Sequence, residues 1–205
     1  MKKRRDVPFR SMVGLSGLGL TLIGLGLLPA SAWAIPGQSL RSAETWIQAN
    51  PTLNPSPGER FLIQRRITPA HRFTFEASVF PISGKFQSPQ RSEIRTERFV
   101  IVDLINDVTE ERLEESLRAI YGVDIFTDYR QAEVLLAYPP LETLVSPDSE
   151  LVLQGELREG EQFAYWRELA YDDTGRATSG RMAVFLKEDV SGLEAQLERN
   201  RPTIE

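Results

Sequence analysis

A chain of 205 residues with 24 Lys+Arg against 29 Asp+Glu is mildly acidic, and it holds one histidine and no cysteine. The missing thiols exclude disulfides, a thiol nucleophile and thiolate metal sites, and a single histidine leaves too few nitrogen ligands for an ordinary zinc centre. An acidic balance also argues against nucleic acid as a partner, which is held by neutralising phosphates with cations.

The chain opens with a basic lead, Lys2, Lys3, Arg4, Arg5 and Arg10, followed by an uncharged, Gly-rich apolar run over residues 12–28. Pro29 breaks any helix there, and Ala32-Trp33-Ala34 supplies small residues at the two positions that matter for cleavage. Residues 1–34 therefore predict a secretory signal peptide cut after Ala34. That assigns the product to an extracytoplasmic compartment, either a periplasm or a lumen reached by the same export route. If the leader is retained, its uncharged run over residues 11–33 is long enough to span a bilayer, for which about 20 residues suffice, and the protein becomes membrane-tethered. Asp6 and Pro8 fit poorly with a twin-arginine motif at Arg4-Arg5. Removing the five basic residues and one acidic residue of the leader leaves 171 residues with 19 basic and 28 acidic, a net of −9. That length suits one domain with a sizeable core.

Residues 35–58 read as a helix at 42–49, with Ser42 as its cap and Trp46 on its apolar stripe, and then a Pro-rich connector. Residues 59–205 read as a single domain. Strands are predicted at 60–68, 71–80 and 92–105. The last becomes apolar on both faces at Phe99-Val100-Ile101-Val102, as a central strand does, with a bulge shifting its facing. A helix follows at 107–121, capped by Asp107 or Thr109 and closed by Gly122 in a left-handed conformation. Short strands are predicted at 123–126 and 133–138, the latter stopped by Pro139-Pro140, with a connector over 141–149. Residues 150–188 form a three-stranded meander turning at 158–161 and 172–175. Ser191 and Glu194 have capping-box spacing, opening a terminal helix that carries Leu193 and Leu197, with Pro202 past its end. The sum is an α+β fold, a largely antiparallel sheet of about six or seven strands packed by two or three short helices.

Charge is divided unevenly. Residues 59–98 carry a net of +4, and residues 99–205 hold 10 basic and 23 acidic residues, a net of −13. Cross-strand pairing of Arg with Glu accounts for such a split. A sharper reading gathers Arg65, Arg66, Arg72 and Arg95 into a basic patch for an acidic partner.

Catalytic patterns are thin. His71 starts a strand and has no Gly-x-Ser-x-Gly element to serve, so it reads as a strand-end side chain. Asp172-Asp173 reads as a hairpin turn, and Asp103, Asp107 and Glu111 as helix-start residues; each group is also the place where paired-acid chemistry would sit. Phe163, Tyr165 and Tyr171 fall on a core face, with Trp166 opposite. No catalytic residue, metal or cofactor is assigned. The expected function is an exported, soluble, non-catalytic binding or assembly protein for an unknown protein or acidic ligand. The alternative is a small extracytoplasmic hydrolase using paired carboxylates.

Overall fold

The computed structural model describes residues 36–84, 92–138 and 152–199. The leader at 1–34, Pro139-Pro140, the 141–149 connector and Pro202 lie outside the described residues. Within them the fold is α+β. Its elements are α1 (Leu40–Ala49), β1 (Leu62–Thr68), β2 (His71–Ser78), β3 (Thr96–Asp103), α2 (Glu110–Gln131), β4 (Glu133–Tyr138), β5 (Val152–Glu159), β6 (Ala164–Tyr171), β7 (Ala177–Phe185) and α3 (Val190–Arg199). Among the described residues no helix is long and apolar enough to cross a membrane.

The seven strands form one sheet in the order β1-β2-β3-β7-β6-β5-β4, with every neighbouring pair antiparallel. Two meanders, β1–β3 and β4–β7, are sewn together by their last strands, with Thr96 opposite Phe185 and Val102 opposite Ser179. Residues directly opposite share a face. Ile63, Phe75, Phe99 and Met182 thus line up on one face, and they belong to the main core with Ala43 and Ile47 of α1 and Leu113, Leu117, Tyr121 and Ile125 of α2. The opposite face carries a smaller core, in which Leu157, Trp166, Ala183 and Phe185 are covered by Val190 and Leu193 of α3. Tyr165 and Trp166 point to opposite faces, as their adjacency in a strand requires.

Because β3 is central and β4 is an edge, α2 must cross the sheet. Four inter-strand steps amount to about 19 Å, and the 22 residues of α2 span about 33 Å. Close packing against β7 is allowed by Gly180: a Cβ there would lie 2.8 Å from Val108 Cγ1 and 3.0 Å from Leu113 Cδ1. The far end of the crossing is pinned by Asp128. Its carboxylate accepts from the backbone N–H groups of Glu161 (2.8 Å), Gln162 (3.2 Å) and Phe163 (3.3 Å) and from the Tyr165 hydroxyl (2.6 Å). Burial, and then Asp128, push the Tyr165 phenol far above its ordinary range.

Gly122 does leave the helical conformation, at φ 85° and ψ −175°. The chain does not then form the strand expected at 123–126; it resumes as helix to Gln131. Ile125, Asp128 and Tyr129 are buried at helical spacing while Val123 is exposed. Only the packing beneath could separate helix from strand in so short an apolar run. The carbonyls in the turn before Gly122 are taken up from outside the helix, where a helix end leaves acceptors without intrahelical donors. The Asn50 side-chain amide donates to Ile120 O (2.9 Å) and the Thr52 hydroxyl to Ala119 O (2.7 Å). Asn50 Oδ1 in turn accepts from the Thr52 and Leu53 N–H groups, both at 3.0 Å. The connector after α1 is thereby clasped to the kink in α2. Trp46 stacks on Tyr121 next to it, ring centroids 5.7 Å apart.

Three local expectations change. Ser39, not Ser42, caps α1, its hydroxyl accepting from Ser42 N–H at 3.2 Å. β3 needs no bulge, since its register with both neighbours is continuous. A 3-10 turn over Lys187–Asp189 leads into α3, so Ser191 lies inside that helix and does not cap it.

The Gly122 dihedrals lie in a region that is essentially glycine-only. Gly122→Ala should destabilise the protein by about 1–3 kcal/mol, read from urea denaturation curves; an unchanged midpoint would mean that the kink tolerates a side chain.

Candidate ligand-binding cleft

The clasp leaves a half-open cleft between the first half of α2 and the β1–β2–β3 end of the sheet, with a volume of about 320 Å³. β1 contributes Arg65 and Ile67, β2 His71 and Phe73, and β3 Ile101. The facing wall is Arg112, Glu115, Ser116, Ala119 and Ile120 of α2, and Thr52 closes it from the connector. Strand alternation accounts for this wall: Arg65 sits opposite Phe73, and Phe73 opposite Ile101, so all three face α2. Ile67 is largely exposed, so the apolar wall continues onto the surface.

The polar groups around the cleft fall into two sets. One is internally engaged. Arg112 Nη2 donates to Asp103 Oδ2 at 2.9 Å and to His71 Nε2 at 3.3 Å, and its Nη1 to Asp107 O at 3.3 Å. A guanidinium has donors only, so His71 Nε2 is the acceptor. Asp103 is buried and also accepts from the backbone N–H groups of Asn106 (3.0 Å) and Ile105 (3.1 Å). These two N–H groups, with Arg112, hold its carboxyl well below the usual carboxylate range. The Ser116 hydroxyl donates to Arg112 O (2.8 Å) within its own helix. Arg65 differs: it donates to Asn54 O (2.6 Å) and Thr52 O (3.5 Å), and among the described residues it forms no ion pair.

The four arginines of the expected basic patch are distributed over three places. Arg65 faces the cleft. Arg66 and Arg72 stand directly opposite each other on the other face of the sheet, both exposed. Arg95 is buried, with Nη2 and Nε donating to Asp189 at 2.7 and 3.1 Å and a further ion pair to Glu188. Asp189, then Glu188, push the Arg95 guanidinium still higher than its ordinary value. Only Arg66 and Arg72 are brought together. Alternation already placed Arg65 in line with Ile63 and Ile67, and that was the legible signal for the cleft. Nothing local in the sequence marked Thr52 or Ala119.

The carboxylates considered for acid chemistry have other contacts. Asp172 Oδ1 accepts from Thr174 N–H (3.0 Å), the Thr174 hydroxyl (2.6 Å) and Arg176 N–H (3.0 Å), the bonds of a tight turn. Asp107 pairs with Arg176 at 3.1 Å. Thr109 caps α2, its hydroxyl accepting from Arg112 N–H at 3.2 Å, and its neighbour Glu111 is held below the usual range by its own backbone N–H and by Thr109. Among the described residues no group of three or more His, Asp or Glu side chains is placed to hold a metal ion.

A carboxylate with a depressed folded-state pKa contributes stability that is present above its unfolded value and lost as pH falls. Asp103, with an ordinary value of 3.8, therefore matters most at neutral pH. Asp103→Asn should be less stable than the parent at pH 7, and the gap should narrow below about pH 4; urea titrations at pH 7 and pH 3 measure both. A gap independent of pH would show that the charge of Asp103 is not what holds the loop.

Comparison with family models, with curated proteins and with solved structures finds no match for this chain.

Proposed function

We propose that this chain is an exported, non-catalytic binding protein that holds a small ligand in the cleft between α2 and the β1–β3 end of the sheet. The observation that carries this reading is the cleft itself: about 320 Å³, with Ile67, Phe73 and Ile101 on the sheet side, Ala119 and Ile120 on the helix side, and polar groups between them at Arg65, His71, Arg112 and Glu115. That is the size and lining of small-molecule sites. The engagement of Asp103, Asp107 and Asp172 in loop, ion-pair and turn contacts favours binding over paired-acid hydrolysis. Export rests on the basic, apolar and Ala-x-Ala order of residues 1–34.

A neutral dye that brightens in apolar surroundings tests the reading. Ala119 is exposed on α2 and lines the cleft, so Ala119→Trp should fill the cleft without unfolding the protein. Dye emission with the full-length chain should fall by more than half in that variant. Equal emission would remove the cleft as the binding site.

A second reading, a surface for an acidic protein partner, is favoured by one observation. Arg66 and Arg72 are like charges directly opposite each other, an arrangement that destabilises a sheet unless an anion relieves it. Reversing both, Arg66→Glu with Arg72→Glu, should weaken retention of the protein on a polyglutamate resin at low salt. Unchanged retention would dismiss this surface.

A further inference from the structure

Arg65 stands apart from the rest of the cleft. Its hydrogen bonds go to two neutral carbonyls, Asn54 O and Thr52 O, and among the described residues no carboxylate pairs with it. Backbone carbonyls orient a guanidinium without cancelling its charge, and a guanidinium has five N–H donors. Arg112, by contrast, is neutralised by buried Asp103. The remaining charge in the lining is Glu115, exposed on α2. The cleft thus presents on its strand wall a cation that has no ion pair among the described residues and feels Glu59 only through space, an anion on its helix wall, and hydrocarbon between them from Ile67, Phe73, Ile101 and Ile120.

We propose, resting on the cleft reading above, that the ligand is a small monocarboxylate with an unbranched or compact hydrocarbon body, its carboxylate taken by Arg65 and its body lying against Phe73 and Ile101. The fork of a guanidinium matches a carboxylate. A volume of about 320 Å³ lies at the small end of small-molecule sites, the scale of a medium-chain acid. An extended peptide fits less well. The Ser116 and Thr52 hydroxyls already donate to Arg112 O and Ala119 O, so neither is free to donate to a peptide carbonyl, and a run of such carbonyls would be poorly met. Glu115 disfavours a second negative charge and so selects a monoanion over a dianion.

Isothermal titration of the full-length protein with decanoate, decanol, decylamine and decanedioate tests this. Decanoate should bind most tightly. Decanol should bind about tenfold or more weakly, since a hydrogen bond to a charged group is worth roughly that factor, decanedioate more weakly than decanoate because Glu115 repels its second carboxylate, and decylamine more weakly still. Arg65→Ala should reduce decanoate affinity about tenfold or more and leave decanol unchanged, while Arg65→Lys retains part of it as a point charge. Arg65 is partly exposed on an edge strand, and far-ultraviolet circular dichroism checks that both variants fold. Decanol or decanedioate binding as tightly as decanoate overturns the proposal, as does decanoate binding that is indifferent to Arg65→Ala. If the neutral dye still occupies the cleft and decanoate does not displace it, the head-group assignment falls and the binding reading stands. If neither dye nor decanoate responds to Ala119→Trp, both fall.

Discussion

The clasp between the connector and the kink in α2 is the contact on which the arrangement of this protein depends. Gly122 interrupts the helix, and the carbonyls of Ala119 and Ile120 are met by Thr52 and Asn50. The buried Ile120 carbonyl would cost free energy without the Asn50 donor, so the kink and the connector stabilise each other. The same bonds draw α1 against the sheet, where Trp46 stacks on Tyr121 and lies near Phe75. They also set the distance between Thr52 and α2, and hence the existence of the cleft.

A second constraint is the joining of the two meanders through β3 and β7. With β3 and β7 in the middle and β4 on an edge, the chain has to cross one face between β3 and β4, and α2 is that crossing. Close approach at Gly180 and the four donors on Asp128 hold its two ends. What α2 covers becomes the main core. What it leaves uncovered, towards β1 and β2, becomes the cleft. The position of the candidate site thus follows from strand order, and no special local motif creates it.

Charge on this fold is divided by the sheet. The arginine-rich segment 59–98 supplies both faces, because neighbouring residues in a strand point in opposite directions. Arg65 and Arg66 are adjacent in the chain and end on opposite sides, one facing a cleft and the other facing its like-charged partner Arg72. Arg95 goes to neither, and instead ties the start of β3 to the turn before α3 through Asp189 and Glu188. Part of the charge split is therefore internal pairing, and part is surface charge with no described partner.

The sequence by itself determined the local matters: the absence of thiol chemistry, the strands β1 to β7, a helix start at Asp107 or Thr109, the break at Gly122 and the α+β class. These are set by side-chain periodicity, capping and turn chemistry, which act over a few residues. Tertiary structure alone decided the rest. The segment after Gly122 became helix because Ile125 and Tyr129 meet a core only at helical spacing. Asn50 and Thr52 gained their role from carbonyls 70 and 67 residues away. The arginines were sorted by strand register, which is a property of pairs of strands and not of either alone. A cleft bounded by two layers and a connector exists only once those layers are packed, so the sequence showed Arg65 as a patch residue and His71 as a strand end and did not show the space they face.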